Sequence, residues 1–253
     1  MKNLYIIGNW KMNKTIKATK EFFEAFNESF NEKTKNHVVI CPPFMALPTA
    51  CELAEGKKFE IGAQNVHYSE DGIYTGEVST EMLNEVGVKY SIVGHSSRRE
   101  DALESNEVIN KKIIACLEAG ITPVLCVGES RKDKEMGRTY KVLKKQLVSA
   151  FDDISEPNKV IIAYEPIWAI SDGKNPAQTP TMEEISGASS GIRRVMKQLY
   201  DKDALKGLNV LYGGSVGPAN ANEIMSIKNI NGVLVGGASL NPDKFNAIIK
   251  AVD

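Results

Sequence analysis

Eight short, predominantly apolar runs, at residues 4–7, 38–41, 59–63, 90–93, 122–127, 160–164, 210–212 and 233–235, constrain this chain more than any other feature. They are rich in Val, Ile and Tyr and too short for buried helices, so they read as strands covered on both faces. Between them, apolar residues recur at helical spacing. Phe22, Phe23, Phe26 and Phe30 mark a helix over 18–30. Ile109, Ile113, Ile114 and Leu117 mark one that follows the fourth strand and ends near residue 119. Tyr140, Leu143, Leu147 and Phe151 mark a third, and shorter helices are expected at 47–54 and 80–86. Thr181 and Glu184 form a capping box that starts a helix running to about residue 200. Asn241 and Pro242 supply the cap and first position of the last helix. Eight strands alternating with eight helical segments, without a low-complexity linker, predict a parallel sheet wrapped in helices. The chain has 253 residues, close to the roughly 250 of one closed barrel. A single-domain α/β fold, a closed (β/α)8 barrel over 1–253, therefore fits better than an open doubly wound sheet. The open sheet would carry an early glycine-rich dinucleotide fingerprint, and none is present.

The chemistry-bearing residues stand just after the strands. Asn9 and Lys11 follow the first, His95 the fourth and Glu165 the sixth. Gly213-Gly214-Ser215 follows the seventh and Gly236-Gly237 the eighth. In a barrel these ends share one rim, where active sites form. Glu165 ends an apolar strand, and Pro166 prevents that strand from continuing. Trp168 then gives an aromatic anchor, and Ser171-Asp172-Gly173 a small-residue tip. This stretch reads either as a catalytic base under a movable lid or as a strand-end carboxylate salt-bridged at the surface. The two glycine pairs suit close backbone approach to an anion.

Charge and composition narrow the partners. The formal net charge is −1 with lysines and acids interleaved, which argues against nucleic acid or an anionic membrane. No run approaches the roughly 18 apolar residues of a membrane span, and the apolar part of the N-terminus is short for a secretory signal. Cys41, Cys51, Cys116 and Cys126 form no C-x-x-C pair, and all but Cys51 lie in apolar runs, as reduced, buried thiols do. His37, His67 and His95 lack ligand spacing, so no metal is expected. A cytoplasmic protein without a cofactor is the expectation.

The segments GNWKMN (8–13), TGE (75–77), VGHS (93–96) with Arg98-Arg99, CVGE (126–129), AYEPIWAI (163–170), YGGSV (212–216) and LVGGASL (234–240) together resemble the triosephosphate isomerase family along the whole chain. The resemblance implies the TIM barrel and interconversion of dihydroxyacetone phosphate with glyceraldehyde 3-phosphate. It also implies roles. Glu165 would remove the proton beside the carbonyl, and neutral His95 would polarise the carbonyl and move protons between the oxygens. Asn9 and Lys11 would stabilise the enediolate. Amides near Ser171, Ser215, Gly236 and Gly237 would hold the phosphate. Pro166, Trp168 and Gly173 belong to the lid, which Tyr212 and Ser215 would latch. The loop 64–78 would enter the partner of a homodimer and bring Thr75 to the other active site. It is long for a connection and carries Val66, Tyr68, Ile73 and Tyr74.

Two departures from the family pattern stand out. Ser97 replaces a glutamate, and the lid reads Ser171-Asp172 where Gly-Thr is usual, with 175–178 about two residues longer. Serine is too short to pair with Lys11, so the expectation is a slowed isomerase in which Ser97→Glu raises kcat about 10-fold, about 1.4 kcal/mol. Two rival readings stay open. A Schiff-base aldolase would need a buried lysine on a central strand, and a barrel that has lost catalysis would survive as a binding protein.

Overall fold

A computed structural model of the chain describes residues 3–170 and 178–253. Strands β1 (Tyr5–Asn9), β2 (His37–Cys41), β3 (Phe59–Ala63), β4 (Tyr90–Val93), β5 (Thr122–Val127), β6 (Ile161–Tyr164), β7 (Val210–Tyr212) and β8 (Gly232–Val235) pair in sequence order, all parallel. Pairing of β1 with β8 closes the barrel. Because strand side chains alternate in direction, each strand contributes to two apolar layers. Ile7, Val39, Ile92, Val124 and Leu234 belong to a smaller cluster that fills the barrel. Their neighbours Ile6, Ile40, Val93, Leu125 and Val235 join the larger cluster, which includes the helices.

Helices α1 (Ile16–Ser29), α2 (Leu47–Ala54) and α3 (Thr80–Glu85) follow the first three strands. The segment after β4 is two helices, α4 (Ser96–Glu100) and α5 (Asn106–Glu118), where the periodicity predicts one. Polar residues at α4 carry no apolar stripe, so sequence spacing merges it with α5. Two more short helices, α6 (Arg131–Glu135) and α9 (Ala221–Ser226), have too few turns to show a period of their own. Helices α7 (Thr139–Ala150), α8 (Met182–Leu199) and α10 (Pro242–Lys250) lie where expected. The capping box is present: Thr181 Oγ1 accepts from the Glu184 amide at 3.2 Å, and Glu184 Oε2 accepts from the Thr181 amide at 2.8 Å. Asn241 caps α10, accepting from the Lys244 amide at 2.9 Å. The stretch 64–78 forms neither helix nor strand. Among the described residues no helix is long and apolar enough to cross a membrane.

Candidate active site

The loop after β1 is held in an uncommon shape. Lys11 adopts φ 52°, the left-handed region that costs a side-chain-bearing residue about 1–2 kcal/mol. Neighbours offset that cost. Asn9 Oδ1 accepts from the Lys11 amide at 3.0 Å, and Gln64 Nε2 donates to both Lys11 O and Cys41 O at 2.9 Å. Trp10, fully buried and edge-on to Phe22, donates from Nε1 to Ser239 O at 3.1 Å. The loop after β1 is thereby tied to the turn after β8. Trp10 is therefore part of the core. Nothing in the sequence marks Gln64 as the residue that pins Lys11, because the contact spans 53 positions.

His95 caps α4. Its Nδ1 accepts from the Ser97 amide at 3.2 Å and lies 2.9 Å from Ser97 Oγ. A nitrogen that accepts from an amide carries no proton, so the ring is neutral with its proton on Nε2. That Nε2 is buried, without a partner among the described residues, and 3.7 Å from Glu165 Oε1. The separation is too long for a hydrogen bond. Glu165 Oε2 is also buried and unpartnered among the described residues. Buried polar groups are nearly always satisfied, so two orphans side by side mark a place built for a ligand. Glu165 is 4% exposed, so it is not a surface salt-bridge carboxylate.

Glycines make room for the Glu165 backbone and side chain. A Cβ on Gly128 would fall 1.9 Å from Glu165 O, and one on Gly213 would fall 2.5 Å from Glu165 Cγ. Arg99 joins the ends of two strands, donating to Gly94 O at 2.7 Å and Cys126 O at 3.0 Å. Burial, with the Glu165 charge beside it, pushes the Cys126 thiol well above its usual range, so it stays a neutral packing group. Glu165 shares a cavity of about 470 Å3 with Asn9, Lys11, Ser215, Gly236 and Gly237. A Cβ on Gly237 would meet nothing within 4 Å, so the backbone here is open to a bound group.

Beneath the segment that follows Glu165, Glu129 is fully buried and accepts from Trp168 Nε1 at 2.9 Å and from Tyr164 OH at 3.1 Å. The Glu129 carboxylate thereby anchors Trp168. Lys134 Nζ stands 3.4 Å from the centre of the Trp168 ring and 2.7 Å from Glu184. Pro166 leads into a single 3-10 turn, Ile167–Ala169. Tyr212 is buried behind the rim, its hydroxyl unpartnered among the described residues. Ser171 and Gly173, with Asp172, lie outside the described residues. Thr75 is exposed on the separate 64–78 loop and does not line the cavity. Ser97 contacts His95 and, as the sequence implies, forms no bond to Lys11 among the described residues. The described strands contain no lysine, which removes the aldolase reading.

The Glu165 carboxylate lines the same cavity as Lys11 and the two glycine pairs, and the His95 ring stands 3.7 Å from that carboxylate. That is equipment for moving a proton between neighbouring carbons of a small anionic carbonyl compound. The sequence profile of the triosephosphate isomerase family matches residues 4–252. Triosephosphate isomerase from Aquifex aeolicus (strain VF5) is 46% identical over 245 residues, 96% of this chain and 97% of its own. The enzyme from Fusobacterium nucleatum subsp. nucleatum is 43% identical over 99% of both chains, and that from Alkaliphilus metalliredigens 41% over 98% and 99%. The chain belongs to the triosephosphate isomerase family.

Proposed function

We propose that this chain's reaction, the interconversion of dihydroxyacetone phosphate and D-glyceraldehyde 3-phosphate in glycolysis and gluconeogenesis, runs through an enediolate handled by Glu165 and His95. The observation that carries this reading is the pair of buried, unpartnered atoms, Glu165 Oε2 and His95 Nε2, in side chains 3.7 Å apart at their closest. The Glu165 carboxylate takes the proton from the carbon next to the carbonyl, and the electron pair moves onto the carbonyl oxygen. His95 Nε2–H donates to that oxygen and moves protons between the two oxygens. Protonated Glu165 then returns its proton to the adjacent carbon. Asn9 and Lys11 stabilise the negative charge as it develops. Backbone N–H groups near Ser215, Gly236 and Gly237, with Ser171, hold the phosphate dianion. Pro166, Trp168 and Gly173 belong to a lid latched by Tyr212 and Ser215, which limits loss of phosphate from the enediol by excluding water. No cofactor takes part.

An assay coupled to reduction of dihydroxyacetone phosphate tests the reading. Wild type turns over glyceraldehyde 3-phosphate, and in deuterated water the product carries carbon-bound deuterium. Glu165→Gln lowers kcat on the order of 10³-fold, within the range for removing a positioned base. Full activity in Glu165→Gln would sink the mechanism.

The working form is a cytoplasmic homodimer, with Thr75 contributed to the partner's site. The exposed apolar residues on the first three strand-end loops support this: Met12 is 96%, Met45 79% and Ile73 98% exposed in the single chain. The four free cysteines suit a reducing compartment. Light scattering should give twice the chain mass, and Ile73→Asp should shift it toward monomer with loss of activity. A fully active monomer would refute the assembly.

A further inference from the structure

Ser97 stands where the family pattern has a longer acidic residue, and the contacts around His95 give it a different task. The Ser97 amide donates to His95 Nδ1 at 3.2 Å, which makes that nitrogen an acceptor. Ser97 Oγ lies 2.9 Å from the same nitrogen. With Nδ1 unprotonated, only the hydroxyl can be the donor in that contact. We propose that the Ser97 side chain is a positioning residue for the isomerase reaction, a second donor on Nδ1 that holds the His95 ring plane and keeps its proton on Nε2. The proposal rests on His95 donating from Nε2 during turnover.

The physical reason is tautomer control. One donor on Nδ1 favours the Nε2–H form. A second, on the side chain of the same residue, occupies the space from which another acceptor would draw the proton to Nδ1. The contact matters because Ser97 itself lies at the solvent-facing rim while the ring is buried. Without the hydroxyl, a mobile water takes its place at Nδ1, and an untethered donor does not hold the ring plane. The expectation that Ser97→Glu raises kcat treats serine as a simple deletion. With its hydroxyl on Nδ1, the exchange also replaces a donor by an acceptor next to the imidazole, and no gain is expected.

Three variants test this in the full-length protein. Ser97→Ala should lower kcat about fivefold with KM for glyceraldehyde 3-phosphate within about twofold, and Ser97→Thr should recover most of the loss. In protein labelled with 15N-histidine, the Nδ1 resonance of His95 should move in Ser97→Ala and return in Ser97→Thr. Unchanged kcat and an unmoved resonance in Ser97→Ala would overturn the proposal. So would a lowered melting temperature with the resonance unmoved, the mark of a merely structural serine, or a tenfold gain in Ser97→Glu. The underlying reaction reading fails separately: His95→Gln with full kcat would remove the catalytic histidine, whatever the resonance does.

Discussion

Gly213→Ala places a methyl group against the proposed base. An ideal Cβ there would stand 2.5 Å from Glu165 Cγ, 3.1 Å from Oε1 and 3.2 Å from Cδ. Ordinary contact begins near 3.4 Å, so Cγ must retreat by about 0.9 Å. The backbone cannot yield instead, because the Gly213 amide donates to Tyr164 O at 2.8 Å at the end of the β6–β7 pairing. Gly213 has no positive φ, so alanine meets no conformational penalty of its own and the effect is steric. Overpacking of this kind costs about 1–3 kcal/mol of stability. Misplacing a reacting group by about 1 Å costs on the order of 10²-fold in rate, or about 2.7 kcal/mol of barrier. In the coupled assay kcat should therefore fall about 100-fold while KM, set largely by the phosphate cradle, changes by less than about threefold. In a Glu165→Asp background the shorter side chain leaves room, so the alanine should cost much less, and the double-mutant cycle reads that coupling directly. A kcat within threefold of wild type in Gly213→Ala would refute the claim that close packing on glycine sets the position of the base.

Gly237→Ala is the opposite case. Its Cβ meets nothing within 4 Å, so thermal stability should stay within about 0.5 kcal/mol, while KM rises about tenfold; an unchanged KM would remove Gly237 from the phosphate cradle. Glu104 accepts from Lys112 Nζ at 2.6 Å and Arg98 Nε at 2.8 Å, and Lys112 is only 2% exposed, so Glu104→Gln should cost on the order of 3–5 kcal/mol in urea denaturation. Burial alone would raise the Glu104 carboxyl, but the bonds and charges of Lys112 and Arg98 outweigh it and hold it below its usual value. Its stabilising contribution is then complete above the ordinary carboxyl value of about 4.3 and is lost as pH falls from there through the depressed folded value. Stability of the wild type should decline across that window, and the difference from Glu104→Gln should narrow; a constant difference would rule out the linkage.

By itself the sequence determined the barrel and which residues meet on its rim. Eight buried parallel strands impose near-continuous apolar runs, and helices on the outside impose a period near 3.6, so both are written locally. Residues that follow the strands then share one rim by topology alone, which is why Asn9, Lys11, His95, Glu165 and the two glycine pairs could be grouped before any coordinates. Short helices such as α4, α6 and α9 left too little periodicity to be seen. Tertiary structure alone decided how the rim residues are held. Gln64 reaches 53 positions back to the strained Lys11, Arg99 bridges 27 positions to the end of β5, and Gly213 clears space for a side chain 48 positions away. The role of Ser97 also belongs here: its identity marks a departure, but only the 2.9 Å contact shows that its hydroxyl faces the imidazole. Hydrogen bonds and steric fits of this kind depend on distances of a few tenths of an ångström between segments remote in the chain. Local pattern carries no information at that scale, because it is set by how the packed elements meet.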